Sequence, residues 1–192
     1  MFNKALIKQN YFSEEWCDNL NRKALQQPGQ RPPHAGEPGA LRNCEVRSIS
    51  IQNKSLFYDC LNVVYDHLDY FDINISPKIE KDSFVHISYG PGDYLRPHFD
   101  TLTEVSYADG PFDKNINRKL SVIVMLSHRS EYTGGNFSFG WGASQRHDPS
   151  KDEISGKGTV AIFTSFTKHQ VTPIESGMRR ILLFWVLGPQ WR

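Results

Sequence analysis

Behind Ser13, the apolar residues Trp16, Leu20 and Ala24 recur at every fourth position, which predicts a helix capped by Ser13 and favoured at its amino end by Glu14 and Glu15. Pro28-Gly29 stops it. Cys44 to Ile51 has an extended pattern, and from Ser55 the positions Phe57, Leu61, Val64 and Leu68 return to a helical period with Cys60 on the same side. A second helix ending near Tyr70 is therefore expected. After Ser83 the period changes. Ser83–Tyr89, Tyr94–Asp100, Lys119–Ser127, Asn136–Trp141, Gly158–Thr164, His169–Val171 and Arg179–Leu187 are short, β-rich runs separated by Gly, Pro, Asn and Asp. Helices followed by such strands predict an α+β domain in which the helices buttress a rolled antiparallel sheet.

Two connections are longer than these elements need. Pro28–Leu41 holds four prolines and three glycines beside Arg31 and His34, which resists both helix and strand and reads as a mobile loop. Thr101–Arg118 exceeds a hairpin and reads as a lid. Both are expected to capture substrate.

Composition narrows the classes. The chain has 192 residues, 39% of them hydrophobic, enough for a continuous core. Its 22 Lys+Arg balance 21 Asp+Glu to a net charge of +1, so no global charge draws it to nucleic acid or to an anionic membrane. No apolar run approaches the roughly 20 residues of a spanning helix, and Met1–Lys8 does not have the form of a signal peptide. Cys17, Cys44 and Cys60 form no CxxC and read as buried apolar side chains in a reducing, cytoplasmic compartment.

Candidate chemistry begins at Tyr94-Leu95-Arg96-Pro97-His98-Phe99-Asp100, where an imidazole and a carboxylate two residues apart share one face of a strand. An isolated pair of this kind arises by chance in a chain with seven histidines. His169, directly after an apolar strand, supplies a third ligand if its strand is a neighbour. Two imidazoles and one carboxylate leave about half the octahedral positions of a divalent ion open, which suits non-haem Fe(II); structural zinc uses a closed tetrahedron. Arg179, ten residues further on, opens the apolar strand Ile181–Leu187. Aimed inward, its planar fork requires an anion, such as the distal carboxylate of a dicarboxylic cosubstrate. Its alternative is a surface salt bridge, and Arg180 alternates to the other face. His34, His67, His128 and His147 read as solvated, and His86 as a packed histidine on the face opposite Tyr89.

Taken jointly, these residues resemble the iron- and 2-oxoglutarate-dependent dioxygenases of the prolyl 4-hydroxylase-like group. The resemblance runs from Ser83 to Gly188 and rests on His86-Ile87-Ser88-Tyr89, Gly90-Pro91-Gly92-Asp93, His98-Phe99-Asp100, Thr133-Gly134-Gly135-Asn136-Phe137, His169-Gln170-Val171-Thr172-Pro173, and Arg179 followed by Trp185. It implies a double-stranded β-helix (jelly-roll) core over residues 83–192, supported by helices and extended segments in 1–82, the whole forming one catalytic domain. It implies metal ligation by His98, Asp100 and His169, and a grip on 2-oxoglutarate by Arg179, with Tyr89 or Thr164 as helper because Ser121–Leu126 offers no phenol. Trp185, Tyr94 and Arg96 are the substrate-side candidates.

The implied cofactors are Fe(II), 2-oxoglutarate and O2, with ascorbate as an auxiliary reductant. The implied reaction hydroxylates a C–H bond while 2-oxoglutarate is decarboxylated to succinate and CO2. Peptidyl proline in a peptide or protein is the leading substrate. A free amino acid, a lysyl side chain or another small molecule remains an alternative, as does a non-catalytic jelly-roll binding module. A zinc hydrolase would want a motif such as HExxH, which is absent. Nucleic-acid and membrane partners are disfavoured, and oligomeric state is left open.

Overall fold

The structure, a computed structural model, describes residues 5–49, 54–73, 75, 84–102, 115–140 and 154–190. Its helices are α1 (Glu14–Leu25), α2 (Lys54–Tyr65) and α3 (Leu68–Phe71). Its strands are β1 (Ala5–Lys8), β2 (Arg42–Asn43), β3 (Glu45–Ser48), β4 (Val85–Tyr89), β5 (Tyr94–His98), β6 (Ile116–Met125), β7 (Tyr132–Gly134), β8 (Phe137–Phe139), β9 (Val160–Thr164), β10 (His169–Val171), β11 (Ile174–Gly177) and β12 (Arg179–Pro189). Among the described residues no helix is long and apolar enough to cross a membrane.

Ser13 caps α1 by accepting a hydrogen bond from the Trp16 amide at 3.2 Å, and the helix buries Cys17, Leu20 and Ala24. Trp16 Nε1 donates to Asp59 Oδ2 at 2.9 Å, tying α1 to α2. The second expected helix is broken: α2 stops at Tyr65 and α3 restarts at Leu68. His67 explains the interruption, since its Nδ1 lies 2.8 Å from the Val63 carbonyl and takes over an acceptor that the next helical turn would have used. The cysteines are all free and fully buried, and burial pushes the Cys17 and Cys44 thiols up to about 11.

All seven expected strands form. A six-stranded sheet runs β1-β9-β6-β12-β4-β3, facing a four-stranded sheet β2-β5-β10-β8, with β11-β7 as a two-stranded closure. This is the α+β double-stranded β-helix. Strands β1, β2, β7 and β11 were not expected from the sequence; β1 pairs with β9, β2 with β5, and β7 with β11.

Alternation divides the large sheet cleanly. Leu120, Val122, Val124, Val160, Ile162, Leu182 and Phe184 pack towards the helices, while Ile87, Tyr89, Ile123, Met125, Ala161, Phe163, Ile181 and Leu183 face the small sheet. His86 lies on the helix side, fully buried, with Nε2 3.0 Å from Asn21 Oδ1 and Nδ1 unpartnered. Burial, with Arg47 and Arg180 nearby, lowers its pKa to about 4. Stability from the neutral ring is complete above about pH 6.5 and lost as pH falls towards 4, a change on the order of 3 kcal/mol. His86→Gln, which does not titrate, is expected to flatten this part of the urea-midpoint profile. An unaltered profile would show that other groups set the acid limb.

Candidate active site

β5 and β10 run antiparallel with His98 directly opposite His169. That register, which no local pattern encodes, sets the two rings side by side with centroids 4.2 Å apart. Asp100 lies just past the end of β5, where its amide donates to the Ser165 carbonyl at 3.0 Å. Its Oδ1 is 3.2 Å from His98 Nε2 and its Oδ2 is 3.5 Å from His169 Nε2. One ligand atom from each of the three residues can be chosen so that all lie within 4.8 Å of one another.

The protonation pattern follows from the partners. His98 Nδ1 is 3.0 Å from the Arg96 carbonyl and His169 Nδ1 is 2.9 Å from the Thr167 carbonyl. A carbonyl only accepts, so both Nδ1 atoms carry the hydrogen and both Nε2 lone pairs face Asp100. Burial lowers the His169 pKa and keeps the ring neutral. Burial alone would raise the Asp100 carboxyl, but the charge that His169 and His98 carry once protonated in acid, with hydrogen bonds from His98 and Ser121, outweighs it and holds the group well below the usual carboxylate range. Two imidazoles that turn Nε2 inward and an ionised carboxylate are the donor set that a divalent ion requires.

The sequence alone did not point to Ser121. It sits on the cavity side of β6, and its Oγ donates to Asp100 Oδ2 at 2.6 Å. Ser165 Oγ stands 3.3 Å behind it. The available signal was a lone hydroxyl at the same strand parity as Ile123 and Met125.

A cavity of about 380 Å³ opens from the triad between the sheets. On its wall Arg179 and Tyr89 are cross-strand partners, with the guanidinium 5.5 Å from the phenol ring centre. Arg179 is 1% exposed, so the surface salt bridge is not formed. Its Nη1 has no partner and its Nη2 meets only Met125 Sδ at 3.5 Å. A buried guanidinium so placed requires an anion from the cavity. Gly135, at φ +59°, passes close enough that a Cβ there would collide with Ile174 and press on Arg179. Burial pushes the Tyr89 phenol up, so it stays protonated and able to donate.

Trp185 also lines the cavity, with its indole N–H unpartnered. The Arg118 guanidinium stacks on it, 3.6 Å from the ring centre. Plain alternation would send Arg118 to the helix side with Leu120. The register between β12 and β6 shifts at Val186/Leu187, leaving Lys119 as an extra residue, and the bulge turns Arg118 into the cavity.

Placement corrects three of the site residues expected from the sequence. Thr164 pairs with Leu120 on the helix-facing side of β9 and shares a 2.9 Å hydrogen bond with Thr167, so it does not reach Arg179. Tyr94 and Arg96 share the plain-alternation parity of His98, but the register between β5 and β10 shifts between His169/His98 and Val171/Leu95, so Leu95 lines the cavity in their place; Tyr94 Oη instead donates to the Ala40 carbonyl at 3.3 Å. The other histidines occupy ordinary positions, His34 beside Glu37 at 3.1 Å and His128 beside Glu14 at 3.4 Å. His147 and most of the expected Thr101–Arg118 lid fall outside the described residues.

Comparison with known proteins identifies the family. The family model of the 2OG-Fe(II) oxygenase superfamily matches residues 84–187, more than half of the chain. A PKHD-type hydroxylase of Synechococcus sp. strain CC9902 is 34% identical over 80 residues, covering 42% of this chain but only 34% of the relative's length. Among solved structures, the viral collagen prolyl hydroxylase of Paramecium bursaria Chlorella virus-1, in complex with 2-oxoglutarate, superposes with TM-score 0.66 at 18% identity, covering 96% of each chain. A Pseudomonas putida prolyl-4-hydroxylase gives TM-score 0.67 at 14% identity, covering 98% of this chain and 94% of that one. The chain belongs to the 2OG-Fe(II) oxygenase superfamily. Fe(II), 2-oxoglutarate and O2 are the cofactors of that family, and the grouped His98, Asp100 and His169 with the orphaned Arg179 fit them.

Proposed function

We propose that this chain is an Fe(II)/2-oxoglutarate-dependent dioxygenase that hydroxylates a C–H bond of a peptidyl proline, acting as one catalytic domain. The observation that carries the reading is the convergence, in one cavity, of His98, Asp100 and His169 with a buried guanidinium that lacks an anion. With Fe(II) and O2 bound, 2-oxoglutarate is decarboxylated to succinate and CO2, one oxygen atom entering succinate and the other the substrate C–H bond.

The chain's own contribution is placement. His98, Asp100 and His169 hold the metal, and the carbonyls of Arg96 and Thr167 together with Ser121 hold the ligands. Arg179, with the Tyr89 hydroxyl as helper, grips the far carboxylate of 2-oxoglutarate. Apolar walls from Ile87, Ile123, Ile181 and Leu183 keep water from the reacting centre. Trp185 and Arg118, on the same cavity wall, face the substrate. Peptidyl proline is favoured by the names of the structural neighbours, collagen prolyl hydroxylase and prolyl-4-hydroxylase. The three unpaired buried thiols suit a reducing compartment such as the cytoplasm.

The test is mass spectrometry of proline-containing peptides incubated with Fe(II), ascorbate and 2-oxoglutarate. The expected result is one added oxygen with wild type and none with His98→Ala. Succinate formation without any oxygenated peptide would overturn the peptidyl-proline substrate while leaving the dioxygenase.

A further inference from the structure

The cavity at the triad continues past β2. Arg42 lines both that cavity and a second depression of about 360 Å³, bounded by Pro28, Pro32 and Pro33 of the proline-rich segment. Arg42 is the cross-strand partner of the cavity residue Leu95, so the register aims it at the opening. The segment beyond is anchored: the Arg31 guanidinium donates to Asn43 Oδ1 at 2.7 Å and to Asp93 Oδ1 at 2.8 Å, and Asp93 is 2% exposed. The depression therefore has a fixed wall. Leu41 and Phe99 stand half-exposed at the mouth of the cavity.

Charge distinguishes this path. Asp93 is taken by Arg31 and Glu45 by Arg47, Glu37 lies 3.1 Å from His34 Nδ1, and Asp100 belongs to the triad. Arg42 has no anionic partner among the described residues. A proline-walled trough leading from the metal past an exposed, uncompensated arginine suits an extended chain bearing a carboxylate.

We infer that the substrate is a peptide carrying Asp or Glu beside the oxidised residue, and that Arg42 recognises that acid. This deepens the hydroxylase proposal and rests on it.

The test uses fluorescein-labelled proline peptides identical except for Asp, Asn or Lys, scanned along each flank, with the Fe(II)- and 2-oxoglutarate-loaded protein held anaerobically. Anisotropy is expected to show Asp peptides binding about fivefold tighter than Lys peptides at one flanking position, the size of a partly exposed ion pair. In Arg42→Glu the order inverts, a result that misfolding cannot imitate. Equal binding of the three peptides, or an unchanged order in the variant, overturns the inference. So does displacement of the acidic peptide by a single-stranded oligonucleotide that binds more tightly, which would assign the cationic trough to nucleic acid. Aerobic hydroxylation of the Asn peptide without any charge preference fails this inference alone. Charge-selective binding without oxygenation of any proline peptide fails the substrate reading alone.

Discussion

Asp100→Asn is expected to lower divalent-metal affinity by at least about 100-fold and to reduce succinate formation to background, although the substituted side chain has almost the same shape. The effect is electrostatic and directional. Asp100 is buried with its carboxyl well below the usual range and accepts from the Ser121 hydroxyl, so the fold has already met the cost of desolvating a carboxylate that the metal needs. The amide removes the charge, and its NH2 group would point a donor at the metal or at Ser121. Isothermal titration with Mn(II) under anaerobic conditions reads affinity without turnover. Ser121→Ala keeps all three ligands and is expected to fall in between, with a loss of about 10- to 100-fold. Wild-type metal affinity in Asp100→Asn would remove the carboxylate from the ligand set.

Arg179→Met is expected to separate stability from function. The guanidinium is 1% exposed, with Nη1 unpartnered and Nη2 against a thioether. In the ligand-free protein it is a buried charge without compensation, and a methionine of similar length should stabilise that state by on the order of 1–3 kcal/mol. The same change leaves the distal carboxylate of 2-oxoglutarate without its fork. Affinity for 2-oxoglutarate should then fall by about 100-fold or more, the usual consequence of leaving one member of a buried pair alone. Melting curves measure both effects: the variant melts higher than wild type without ligand and loses the upward shift on adding 2-oxoglutarate. A variant still stabilised by 2-oxoglutarate to the wild-type extent would place the cosubstrate elsewhere.

The His98, Asp100, His169 and Arg179 positions were legible because the chemistry is written in residue types. An imidazole and carboxylate two apart on a strand share a face by geometry, and an arginine that opens an apolar strand has few places to go. The helix from Ser13 and the longer strands β6 and β12 were legible for the same reason, since a period of 3.6 or 2 survives in any sufficiently long element, whereas the three-residue β8 and β10 were marked by the turn residues around them. The assignments of Tyr94 and Arg96 failed on parity. Both share the plain parity of His98, and only the register shift that pairs His98 with His169 but Leu95 with Val171 turns Leu95 into the cavity in their place. Thr164 failed likewise, because β9 sends it to the helix side beside Leu120.

By itself, then, the sequence determined the ligand types, the arginine at the head of an apolar strand and the alternation that separates two packing faces, all properties of residues close together along the chain. Tertiary structure alone decided the His98–His169 register, the support of Asp100 by Ser121, the bulge at Lys119 that carries Arg118 onto Trp185, and the exposure of Arg42 between two cavities. Each of these depends on how one strand aligns with another distant in sequence. A shift of one residue in that alignment turns every side chain to the opposite face.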